Sequence, residues 1–377
     1  MASESCDIIV IGAGIAGASA AAELAADARV VLFEMEPQPG YHASGRSAAY
    51  FAAAYGKPVI QSITRSSESF FRHPPDGFTD VDLYRPRDCI FFGRPDQADR
   101  LEAMQREIPR LEFLDEAAVR ARVPVMRPGY LPGGLRDPEG GDLDVEALLQ
   151  GYLRLFARRG GRLLVNHRVD ALAARGGGWA VTAGSLTLSA PIVVNAAGGW
   201  AEQVGGLAGL SPLGIRPLRR TALTIDAPAD VDIGDWPEMV DVDETFYFKP
   251  DAGAILVSPA DETPTPPVDA QPEELDVALG VDRFERATGM DVRRVRAAWA
   301  GLRTFAPDRV FVAGFDPRAE GFFWLAGQGG YGVQSSPAMA RLARRLVTGA
   351  ALTGAFAGLE RHVPEIAPQR LLPARAE

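Results

Sequence analysis

Residues 7–34, DIIVIGAGIAGASAAAELAADARVVLFE, decide the fold of this chain. The run DIIVI (7–11) is apolar, β-branched and of the length a buried parallel strand needs. GAGIAG follows, then the Ala-rich stretch ASAAAELAADA, which reads as a helix. A second apolar run, RVVLF (29–33), ends at Glu34. Strand, glycine turn, helix, strand and terminal acid together predict a βαβ unit. Gly12, Gly14 and Gly17, with Ala13, Ile15 and Ala16 between them, spell G-x-G-x-x-G at the turn. The first glycine permits the tight turn, and the second lets the backbone approach a pyrophosphate at the positive helix end. The third lets helix and strand pack closely. Glu34, with Met35 after it, stands where an acid accepts hydrogen bonds from a ribose diol. An acid there favours an unphosphorylated 2′-hydroxyl, hence FAD or NAD over NADP, and the motif itself does not separate those two.

Outside this unit, 37–58 is Gly- and Ala-rich with scattered aromatics and reads as a binding loop. Helices are expected over Pro58–Phe71 and over the charged stretch 98–121, with a strand at 88–93. Asp144 is placed to cap a helix running to Arg159, stopped by Gly160 and Gly161. RLLVNHRV (162–169) and WAVTA (179–183) predict a small β-meander, and PIVVNAAGGW (191–200) a buried strand opening into a glycine loop. Residues 216–260 alternate like strands, 261–274 is an acidic, Pro-rich surface loop or short linker, and 299–305 and 310–314 return to β character. A second glycine cluster, GQGGYGVQSS, leads into a last helix. The two glycine clusters lie at opposite ends of the chain. The cofactor domain is therefore expected to be discontinuous (1–84, 145–215 and 300–377), with a substrate domain inserted as 85–144 and 216–299.

At 377 residues, two domains are the default. A net charge of −10 without any Lys/Arg-rich run argues against a nucleic-acid partner, though not against an anionic substrate. Cys6 and Cys89 are too few for a disulfide framework or a Cys-rich metal site, and the four histidines form no HExxH pair, so no metal is expected. The N-terminus lacks a basic region and its apolar run is broken by glycines, and no later run reaches spanning length without charge. The expectation is a cytoplasmic protein without a transmembrane segment, attachment at a membrane surface being left open.

The segments PGYHASGRSAAYFAAAYG, VVNAAGGWAEQ, LRRTAL, FYFKPDAG, WAGLRTF and EGFFWLAGQGGYGVQSS occur in one order. Together they resemble the glycine/D-amino-acid oxidase superfamily of flavoproteins, with bacterial arginine-preferring D-amino-acid dehydrogenases as the nearest likeness. The resemblance implies an α/β fold, α+β overall: a Rossmann-type FAD-binding domain with an inserted substrate domain on a mixed or antiparallel sheet. It implies noncovalent FAD, since no cysteine lies in the C-terminal half to form a flavin link. It also implies hydride transfer from the Cα of a small-molecule amino acid, leaving an imino acid that water converts to a 2-oxo acid. Arg46, Ser47 and the adjoining Ala48 match the flavin-contacting loop, Ala197 and Gly198 a turn near the cofactor, and Val169 a strand residue at the adenine. Gly329, Gly330, Tyr331, Gly332, Val333 and Gln334 match the segment that brings amides to the flavin ring.

For the chemistry, Arg303 and Arg220 match the arginines that hold a substrate carboxylate, with Arg219 an alternative to Arg220. Guanidinium suits the role because bidentate pairing fixes direction as well as position. Tyr247 and Tyr55 match tyrosines that close over the substrate, Tyr55 on a loop compatible with a lid. Tyr331 is as fit to pack as to act. Arginine-preferring relatives carry a glutamate after the Pro-Arg that is Pro86–Arg87 here, and Cys89 takes its place. Asp88 faces the other way, because neighbouring strand residues alternate. Tyr50 and Ala52 replace a histidine and a threonine. With Gly330 and Tyr331, these residues imply a pocket for neutral or apolar side chains, since an unpaired buried guanidinium costs about 3 kcal/mol. Three other readings remain: a glycine/sarcosine-type oxidase releasing peroxide, an NAD-dependent dehydrogenase, and a non-catalytic flavin-binding subunit. The electron acceptor is left open among a quinone, a partner protein and oxygen.

Overall fold

A computed structural model describes residues 4–229 and 231–373. Its centre is a six-stranded sheet in the order Arg162–Leu164, Val30–Phe33, Ile8–Ile11, Ile192–Asn195, Phe322–Ala326, Val312–Phe315, parallel except for the last strand. Every residue of Ile8–Ile11 and Val30–Phe33 is buried, as a parallel strand covered on both faces must be. One face carries the helices Ile15–Leu24, Pro58–Arg72, Val145–Arg158 and Gly332–Thr348, meeting over Ala18, Ala21, Leu148, Tyr152, Ala338 and Leu342. Alanines let the first helix seat close to its neighbours. The other face is covered by a four-stranded sheet and by Ala201–Leu207, through Trp179, Val181, Leu188 and Val204.

A second, nine-stranded sheet supplies the opposite wall of the molecule, and a small three-stranded sheet joins Tyr50–Phe51, Gly141–Leu143 and Tyr84–Pro86. In the large sheet Leu223 pairs with Val257, Val257 with Phe248, and Phe248 with Met239. All four belong to one buried cluster that includes Phe284 of the helix Glu274–Thr288. Because side chains alternate along strands, Arg220, Ala222, Glu238, Val240, Tyr247 and Lys249 face the other way. That face meets the dinucleotide-fold half of the molecule.

Three local expectations are corrected. The stretch 98–121 is not one helix: Ala98–Glu107 and Glu116–Arg122 flank a strand, Glu112–Asp115, paired with Gly133–Asp137. Pro109 has no N–H to continue the first helix, and Asp115 caps the second by accepting from Ala118 N at 2.8 Å. Arg162–Leu164 belongs to the edge of the parallel sheet; the meander is Ala171–Arg175, Gly178–Ala183 and Leu186–Ala190. Asn166, at φ 56°, turns the chain between them. The helix after the second glycine cluster is followed by a short one, Val363–Ile366. The Asp144 cap is present, its carboxylate accepting from Ala147 N at 2.8 Å. No helix among the described residues is long and apolar enough to cross a membrane, and none of their acidic, His or Cys groups could hold a metal.

Candidate active site

Between the two sheets runs a cavity of about 390 Å³. Its walls include Gly12, Gly14, Ile15, Ala16, Glu34, Met35, Arg46, Ser47, Ala48, Val169, Ala197, Gly198, Gly329, Gly330, Gly332 and Val333, together with Arg220, Tyr247 and Arg303. Residues drawn from both ends of the sequence and from the middle thus reach one space.

The glycine turn is shaped by contact. Gly12 sits at φ 99°, and a Cβ there would lie 2.7 Å from Ala196 O. A Cβ on Gly17 would lie 1.8 Å from Gly12 O, so helix and turn meet backbone to backbone. Gly14 is different: the nearest atom to a Cβ is Ser44 Oγ at 3.3 Å, on the cavity side. The helix it opens has no side-chain cap, and Ile15 N donates to Ser44 Oγ at 2.9 Å. A positive helix end whose N-cap glycine offers no side chain, bordering a cavity, fits a pyrophosphate. Glu34 is held by amides, Oε2 accepting from Ala13 N at 2.7 Å and Oε1 from Glu36 N at 2.9 Å. Burial raises its pKa above the ordinary carboxylate value. Each oxygen keeps a lone pair for a ribose hydroxyl, so the residues present fit FAD.

Arg46 ties this loop to the second sheet, donating to Ala270 O at 2.8 Å and Ala300 O at 2.9 Å and pairing with Asp269. Residues 261–274 are therefore more than a surface loop. Ser44, His42 and Trp200 also line the cavity, His42 accepting or donating at Glu36 (2.9 Å) with its ring 4.6 Å from Trp200. Sequence reasoning missed them; their only signal was membership of the quoted loops.

The arginines divide sharply. Arg219 turns away from the cavity into acids, bonded to Asp276 at 2.8 Å and to Glu273, with Asp261 at 3.7 Å. Arg220, one residue on, lines the cavity, donates to Asp261 O at 2.8 Å and pairs with Glu262 at 3.1 Å. Burial first, and Arg303 second, lower its pKa. Arg303 also lines the cavity, and among the described residues no carboxylate pairs with it. A Cβ at Gly330 would approach its Nη1 to 2.8 Å, so the glycine makes room for the guanidinium. Tyr55 and Tyr331 lie beside it with their rings 4.8 Å apart and tilted by 55°, and Tyr55 OH donates to Glu244 at 3.2 Å. Burial raises the pKa of both phenols, so both stay neutral donors.

Other expected residues lie off the cavity wall. Ala13 and Gly17 stand behind the turn. Gln334 accepts from Ala52 N at 2.9 Å and donates to Thr64 at 3.2 Å, bracing the loop against two helices. Tyr50 donates to Arg87 O at 2.6 Å. Cys89 is packed with Ala54, Phe91, Leu101 and Leu135, and burial pushes its thiol pKa up.

A family model described as DAO, FAD dependent oxidoreductase, matches residues 7–346. A curated relative, FAD-dependent oxidoreductase domain-containing protein 1 of Xenopus laevis, is 24% identical over 186 residues, 43% of this chain and 36% of that protein. The match thus spans about a third of that relative's length. Glycine oxidase from Geobacillus kaustophilus superposes with a TM-score of 0.81 at 22% identity, over 94% of this chain and 98% of that one. L-proline dehydrogenase from P. horikoshii superposes with a TM-score of 0.82 at 17% identity, over 98% of each chain. At these identities the likeness to solved structures speaks for the fold alone.

Proposed function

Because the chain belongs to the FAD dependent oxidoreductase family, whose model covers residues 7–346, we propose that it catalyses oxidative deamination of a D-amino acid. The observation that carries an amino-acid substrate is Arg303: a guanidinium on the cavity wall without a counter-ion among the described residues, next to a second arginine and Tyr247. A carboxylate entering there would gain bidentate pairing and have its Cα oriented. Bound FAD supplies the hydride acceptor. The chain supplies position: Arg303 and Arg220 hold the carboxylate, Tyr247 packs over it, and Tyr55, tied to Glu244, closes the mouth against water. The product imino acid is hydrolysed to a 2-oxo acid and ammonia.

In this reading 1–84, 145–215 and 300–377 form the FAD-binding portion, and 85–144 with 216–299 the substrate-binding portion. The strand Val295–Phe305 crosses the last boundary, which is how Arg303 belongs to both. The apolar side-chain preference expected from Cys89 is not carried forward, since that thiol lies off the cavity wall and Glu238 is its neighbour in register. The test is anaerobic mixing of the FAD-loaded protein with D- and L-amino acids, followed by flavin absorbance. Bleaching by D-amino acids alone is expected. Bleaching by L-amino acids or only by secondary amines overturns the reading, and stoichiometric peroxide in air moves it to an oxidase.

A further inference from the structure

Glu238 is buried and, among the described residues, its carboxylate has neither a hydrogen bond nor an ion pair; only burial and longer-range charges act on it. Burying a carboxylate without donors is costly, so such a group calls for an explanation. Its position supplies one. Glu238 pairs in register with Cys89 on the parallel neighbour strand. Two residues on, Val240 pairs with Tyr247, a cavity-wall residue, so Glu238 and Tyr247 share a face of the sheet. Arg303 lies close enough to act on its charge.

The cations nearest to Glu238 are already engaged. Lys249 pairs with Asp142 at 2.8 Å. Arg87 pairs with the same aspartate at 2.6 Å, and its Nη1 donates to the carbonyls of Gly234 and Trp236. Neither donates to Glu238. An acid on the substrate-facing side of the sheet, short of donors, is complementary to a group that brings N–H donors and positive charge with it.

We propose that Glu238 forms a second anchor in the substrate site, binding an ammonium or guanidinium at the far end of the substrate side chain. This deepens the reading of the chain as an amino-acid dehydrogenase and rests on it. With the α-carboxylate on Arg303 and the distal cation on Glu238, the substrate is stretched along one face of the sheet and held at both ends. Tyr247 lies between them. The acid that seemed lost at position 89 is thereby restored from the adjacent strand. Its titration fits the role: burial, aided by Asp142 and opposed by Lys249, Arg303 and Arg87, raises its pKa to about 7. Above that pH it is anionic, while a lysine or arginine side chain is still cationic. Of the neighbouring groups, Tyr50 and Cys89 do not change state there, because burial lifts both far higher, and Asp137 is paired with Arg110.

The test compares D-lysine and D-arginine with the uncharged D-norleucine and D-methionine on the FAD-loaded enzyme, measuring the rate of anaerobic flavin reduction against concentration. The basic substrates should win by ~10-fold or more in kcat/KM, and Glu238→Met should lower that ratio by ~30-fold. In the wild type the ratio should also climb as pH rises from 6 to 8, a readout that needs no variant to fold. Equal handling of D-lysine and D-norleucine at pH 8 overturns the proposal, as does a parallel loss for all substrates in Glu238→Met. If no amino acid bleaches the flavin, the broader functional reading fails instead.

Discussion

The two faces of the nine-stranded sheet treat charge in opposite ways. On the face covered by Glu274–Thr288, Leu223, Phe248, Ile255 and Val257 form an apolar core, and Arg219, turned that way, is bracketed by Asp261, Glu273 and Asp276. On the opposite face Arg303 and Glu238 are buried or half-buried and, among the described residues, carry no hydrogen-bonded or ion-paired carboxylate or cation partner. Neighbours in sequence, Arg219 and Arg220 fall on different sides of this division. One face is finished by folding, whereas on the other Arg220 and Lys249 are paired and Arg303 and Glu238 are not. The lesson is that a charge's role is read from what pairs with it and not from its burial.

Three substitutions test that division. Arg303→Ala should lower kcat/KM by ~10³-fold, about 4 kcal/mol of transition-state binding, while the melting temperature holds, because no internal partner is orphaned. Stopped-flow reduction beside a thermal melt decides it; a collapse in stability would show that Arg303 is structural. Arg219→Ala should do the reverse, costing ~3 kcal/mol in denaturant unfolding by leaving buried acids without a cation, with KM little changed.

The smallest effect concerns pH. Below 4.5 the Glu238 carboxyl is protonated in both folded and unfolded chains, so Glu238→Gln should match the wild type in stability. Between 4.5 and about 7 the unfolded chain releases the proton while the native chain keeps it, so wild-type stability falls with rising pH. Above about 7 the variant should be the more stable by ~3 kcal/mol, as unfolding curves at pH 4 and pH 8 would reveal. Equal stability at both pH values would mean the acid is paired in solution.

Much was legible without coordinates. Apolar runs, glycine spacing and a terminal acid specify the βαβ unit, because strand, turn and helix are written in contiguous residues whose hydrogen bonds are local. The Asp144 cap is of the same kind. Resemblance led to Arg303, Arg220 and Tyr247, which do meet at one cavity. Where the sequence misled, the deciding contact was distant: Arg162–Leu164 joined the parallel sheet because Val30–Phe33 offered it an edge, and Glu112–Asp115 became a strand because Gly133–Asp137 lay beside it.

Local order along the chain determined the dinucleotide fold and the family pattern, and it singled out Arg303 and the pair Arg219–Arg220 as candidates. Only the tertiary structure decided which of Arg219 and Arg220 faces the cavity, that Cys89 lies off the cavity wall, and that Glu238 shares a sheet face with Tyr247. The reason is register: strand pairing joins positions far apart in the chain, and a shift of one residue would exchange every side chain between the finished face and the open one.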